Sequence, residues 1–71
     1  MRWKYDKGVM IWETPIDKYM VYPLNIKGRL RYILEFSDNF YVFLYREEAK
    51  EYARVFYSLA VNNIKLRNEE S

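Results

Sequence analysis

The sequence predicts an α+β domain: an antiparallel sheet of four to five strands, open or curled toward a barrel, followed by one C-terminal helix. Three observations carry this expectation. Residues 2 to 45 hold short runs of alternating or apolar side chains broken by turn residues. Residues 46 to about 66 repeat their apolar side chains at helical spacing. A chain of 71 residues has room for one core only, so both parts belong to a single domain over 1–71.

The first strand is expected at Arg2 to Tyr5, with Asp6-Lys7-Gly8 as a turn in which Gly8 takes a positive φ, and Val9 to Glu13 as its partner. Thr14-Pro15 marks a corner, because Pro donates no backbone hydrogen. Lys18 to Tyr22 is the third strand, and Pro23 is expected to end it at an edge. Asn25 to Gly28 turns the chain into Arg29 to Phe36, the clearest strand: Leu30, Tyr32, Leu34 and Phe36 share one face, and Arg29, Arg31, Ile33 and Glu35 the other. Ser37-Asp38-Asn39 closes a hairpin into Phe40 to Tyr45. That last strand is apolar or aromatic on both faces, which places it at the centre of the sheet or under cover on both sides.

From Arg46 to about residue 66 the chain favours helix, with Glu47, Glu48 and Glu51 near the positive end of the dipole and Lys65 near the negative end. Residues 67–71 read as a frayed tail. The main apolar stripe is Ala49, Tyr52, Ala53, Phe56, Leu59 and Ala60, flanked by Val55, Tyr57 and Val61. This arc is wider than one buried face needs. A curved sheet that wraps the helix accounts for it, and so does a homodimer with Val55, Tyr57, Leu59 and Val61 at the interface, or a groove that docks another protein. Composition bears on the choice. A chain that is 51% hydrophobic and 20% aromatic, with no cysteine to form a disulfide, has a core large for its length or one shared with a second copy.

Net charge is only +2 but unevenly spread. Residues 1 to 31 carry seven basic and three acidic side chains, a net of +4, and the remainder a net of −2. A basic sheet bearing aromatics suits nucleic acid, since cations neutralise phosphates and rings stack on unpaired bases. The candidates are Arg29 and Arg31 with Tyr41, Phe43 and Tyr45, joined by Lys4 and Lys18. Many rings and modest charge favour single strands over duplex. The competing use of the same rings is a second layer of core.

The element order is similar in architecture to small archaeal chromatin proteins and to the dimeric transcriptional-coactivator fold that binds single strands. The junction Glu47, Glu48, Ala49, Tyr52, Ala53 resembles that of the arm-type DNA-binding domains of phage integrases, although any helix docked on a sheet can show these residues. The chromatin proteins are far more basic than +2, which argues against nonspecific coating of duplex.

Catalysis is not expected. Without His or Cys the chain lacks the commonest general base, the commonest thiol nucleophile and the usual zinc ligands, so no metal, cofactor or small-molecule substrate is implied. Thr14, Ser37, Ser58 and Ser71 have no evident activating base, and Glu47, Glu48 and Glu51 suit a first-turn role. Cysteine-free composition and no apolar run at the N-terminus suggest a cytoplasmic protein, with a viral or archaeal source among the options. No stretch is long and apolar enough for a membrane span. The alternative function is a small homodimeric protein-interaction or inhibitor module, such as a virus- or plasmid-encoded one, that binds a host protein through its apolar helix surface.

Overall fold

The computed structural model of the protein describes residues 2–70, with side chains through residue 65. Strands β1 (Lys4–Asp6), β2 (Val9–Glu13), β3 (Lys18–Ile26), β4 (Arg29–Phe36) and β5 (Asn39–Phe43) form one antiparallel sheet in chain order, and helix α1 (Arg46–Glu70) follows. The expected class is observed, with an open sheet whose two edges are β1 and β5.

Three of the four connections are two-residue turns with positive φ at both central residues: Lys7-Gly8 (50° and 85°), Lys27-Gly28 (51° and 79°) and Ser37-Asp38 (49° and 64°). This is the type I′ geometry, whose twist matches that of the flanking strands. Gly8 and Gly28 meet the requirement without strain, whereas Ser37 and Asp38 bear it with side chains attached. The fourth connection is held by Thr14. Its hydroxyl accepts from the amides of Ile16 (3.2 Å) and Asp17 (2.9 Å) and donates to the Asp17 carbonyl (2.7 Å).

Three strands differ from expectation, and β1 does so by spanning Lys4–Asp6 rather than Arg2 to Tyr5, with Asp6 in the strand instead of the turn. Pro23 does not end β3, which continues to Ile26 and pairs Pro23 with Tyr32 of β4. Strand β2 begins at Val9 and its pairing with β3 ends at Met10 with Val21, so beyond Tyr22 no strand lies on that side to need the missing amide. Strand β5 does not lie at the centre or under cover: it is the edge strand, with Phe40 and Val42 exposed.

Helix α1 covers one face. Ala49 and Ala53, fully buried, sit against Tyr19, Val21 and Leu34, which are at most 1% exposed. Alanine at both positions lets the helix backbone approach the sheet closely. A layer of rings surrounds this contact: Tyr19 to Trp12 at 5.2 Å, Tyr19 to Phe36 at 4.8 Å, Phe36 to Phe56 at 5.1 Å and Tyr57 to Trp12 at 5.1 Å. Such pairs add roughly 0.5–1.5 kcal/mol each beyond the area they bury. They supply much of the cohesion that a cluster of five buried residues among those described lacks.

The helix begins without a side-chain cap. The Ala49 amide donates to the Tyr45 carbonyl at 3.2 Å, and Glu47 and Glu48 occupy the first turn. It runs past the expected end at 66 to Glu70, since neither Gly nor Pro follows Lys65. Of the tail expected to fray at 67–71, the backbone is helical through Glu70, and the side chains and Ser71 lie outside the described residues. At about 1.5 Å per residue α1 is roughly 37 Å long, longer than the sheet beneath it, and the molecule measures 50 × 22 × 19 Å.

The hydroxyl of Tyr19 and the indole nitrogen of Trp3 are buried without a hydrogen-bond partner. An unpaired buried donor costs on the order of 1–3 kcal/mol. Tyr19→Phe is therefore expected to stabilise the fold by about 1 kcal/mol, read as a higher urea midpoint at unchanged slope.

Candidate nucleic-acid interface

Register places the side chains. Directly opposed residues share a face, so Met10, Val21, Leu34 and Tyr41 lie in one row under α1, and Ile11, Met20, Glu35 and Phe40 lie in one row on the other face. That second face, with Tyr22, Ile33 and Val42 in its next row, has no helix over it. Ile33 is 4% exposed yet stands outside the cluster formed with Ala49 and Ala53.

The β3–β4 hairpin outruns the rest of the sheet. Pairing with β5 stops at Tyr32 and pairing with β2 stops at Val21, leaving 24–31 as a two-stranded arm. Its sequence, LNIKGRLR, contains three cations and no acid, and no Asp or Glu occurs from Lys18 to Leu34. Arg29 pairs with Ile26 and Arg31 with Leu24 on the uncovered face, and Lys27 stands at the tip. The ion pairs among the described residues all lie on α1: Arg46 and Lys50 with Glu47 (3.7 and 3.5 Å), and Arg54 with Glu51. Lys27, Arg29 and Arg31 thus have no carboxylate partner among the described residues. The Arg31 guanidinium donates only to the Leu30 carbonyl, at 2.8 Å. The three cations, with Ile26 and Val42, line an open depression of about 600 Å³.

The structure brings together Arg29 and Arg31 from the sequence-derived set and separates the others from them. Tyr41 and Phe43 lie on the helix side, Tyr41 against Phe56 (5.0 Å) and Phe43 against Tyr52 (4.9 Å). Tyr45 is 68% exposed at the strand–helix junction. Lys18 faces the open side but pairs with Glu13 at the far end of β3, and Lys4 lies on edge strand β1. Lys27 was missed, because its turn lysine reads as a solvated tip until the arm is seen to project. The acid-free run from 18 to 34 was the available signal.

Of the residues expected at a dimer interface, Val55 and Leu59 are exposed on the outer helix, Val61 is half-buried, and Tyr57 packs on Trp12 and Tyr19. Among the described residues no three His, Cys, Asp or Glu are grouped to hold a metal ion. Among them, too, no helix is long and apolar enough to cross a membrane. Comparison with protein-family models, curated proteins and solved structures finds no match to this chain.

On the open face the Tyr22 hydroxyl donates to Glu35 at 3.0 Å. Burial, then this hydrogen bond and the Glu35 charge, push Tyr22 above its ordinary value of 10.0, and burial does the same for Tyr19. The unfolded chain then loses these protons first. Stability is expected to be fully present below pH 10 and to fall as pH rises through the folded-state values. Urea titrations across the alkaline range check this, and Tyr22→Phe should flatten the decline.

Proposed function

We propose that the protein is a noncatalytic nucleic-acid-binding domain that grips its ligand with the β3–β4 arm. The observation that carries this reading is the set of Lys27, Arg29 and Arg31 on a projecting two-stranded ribbon, with no carboxylate partner among the described residues. Unpaired guanidinium groups are suited to phosphate oxygens, and a two-stranded β-ribbon has the width to enter the major groove of a duplex. Apolar Leu24 and Ile26 flank the arginines and suit contact with sugars or thymine methyl groups.

Duplex is favoured over single strands, in contrast to the expectation from sequence. Two of the three rings assigned to stacking, Tyr41 and Phe43, are occupied against α1. The acidic first turn of the helix lies on α1, across the sheet from the open face, and so does not oppose an anion approaching the arm's cationic side. A reducing intracellular setting fits the absence of cysteine.

Fluorescence titration with duplex and single-stranded oligonucleotides tests the reading. If all three cations meet phosphates, duplex affinity should fall about 40-fold between roughly 50 and 200 mM salt, and Arg29→Ala should reduce the log–log slope by about 0.9. No binding of either oligonucleotide at the lower salt would sink the proposal. The second reading, a protein-interaction module, would then take its place, favoured by the exposed Tyr52, Val55 and Leu59 on the outer helix.

A further inference from the structure

Strand β5 has the composition of a central strand and the position of an edge. Residues 39–45, NFYVFLY, carry no charge, no Pro and no Gly. The open-face side chains Phe40 and Val42 are 63% and 56% exposed, and Leu44, just past the strand, is 56% exposed. An unprotected edge of this kind offers a row of free amides and carbonyls to any strand that fits. The other edge is guarded: β1 has only three residues, with Lys4 and Asp6 on the open face.

A second, independent observation lies on α1. Tyr52, Val55 and Leu59 fall on one flank at 100° per residue and remain 48%, 43% and 55% exposed. That flank is the β5 side, since the Tyr52 ring lies 4.9 Å from Phe43 and Phe56 lies 5.0 Å from Tyr41, while Tyr57 on the opposite flank meets Trp12. The surplus apolar arc of the helix and the bare edge of the sheet are therefore continuous.

We infer that β5 pairs antiparallel with β5 of a second copy about a two-fold axis perpendicular to the sheet. Only an antiparallel pairing makes one edge self-complementary in a closed dimer. The product is a single ten-stranded sheet with both helices on one side. Phe40 of each copy then lies beside Val42 of the other when the axis passes at Tyr41, and the Tyr52, Val55 and Leu59 flanks face each other beneath the joined strands. Five strand residues at about 3.4 Å, across sheet and helix layers about 20 Å deep, outline on the order of 340 Å² per copy. Both copies together reach about 700 Å², the size of a weak, concentration-dependent association rather than of a permanent dimer.

The axis leaves both open faces on the same side, so the arginines of both arms share one surface. With Tyr41 at the axis the arms lie roughly 30–40 Å apart, close to the ~34 Å of one duplex turn that dimeric DNA-binding proteins match. This spacing rests on the nucleic-acid reading; the strand pairing does not.

Sedimentation equilibrium of the full chain tests the pairing. A dimer is expected, with Val42→Lys weakening association by roughly tenfold or more while circular dichroism confirms its fold. The double variant Phe40→Glu/Val42→Lys should recover the dimer, because each new Lys meets the partner's new Glu. Amide exchange gives a second measure: protection of β5 should rise with concentration and that of β1 should not. A chain that stays monomeric at every concentration overturns the inference, as does a folded Val42→Lys variant that dimerises like the wild type. Dimerisation without oligonucleotide binding would instead uphold the pairing and remove the arm's proposed role alone.

Discussion

The seat of α1 on the sheet is the contact on which the rest of the molecule depends. Ala49 and Ala53 have no side chain beyond Cβ, and this lets the helix rest directly on Leu34, Val21 and Tyr19. Strand β5 offers apolar residues on both faces, so its own hydrophobicity does not decide which face is covered. Two alanines among large rings seat the helix on the face of Leu34, Val21 and Tyr19. Once that face is taken, Tyr41, Phe43 and Phe36 belong to the core, and Arg29, Arg31 and Ile33 are left on the open side.

Charge follows the same division. The acidic residues of the first helical turns lie on the far side of the sheet from the arm's arginines, where Glu47 and Glu51 meet Arg46, Lys50 and Arg54 of the same helix. These exposed pairs contribute little to stability. Their effect is to keep carboxylates occupied locally, so that the cations of the β3–β4 hairpin are not neutralised within the chain.

Strand positions and faces were legible because period-two alternation in Arg29 to Phe36 and the turn signals at Gly8, Gly28 and Ser37-Asp38 are local properties. The arm was not legible. It results from β2 and β5 being shorter than the hairpin they flank, and strand length relative to a neighbour is a property of the pairing rather than of either sequence. Pro23 misled for the same reason: a proline inside a strand is tolerated where the neighbouring strand has already ended, which no local rule can see. Strand β5 was read as central because of its side chains, and that reading described its chemistry correctly and its place in one chain incorrectly. The candidate site was half legible, since alternation put Arg29 and Arg31 on a common face but could not say that the helix would take the face of Tyr41 and Phe43.

Strand order that follows chain order has a consequence for the path to the native state. Each strand pairs with its predecessor across a turn of two to four residues, so the sheet can zip from the first hairpin onward with little loop-closure entropy at any step. The helix comes last in the chain and brings the two alanines that close the core. During synthesis the sheet therefore emerges with both faces wet, and its apolar side must wait for the final third of the chain before it is covered.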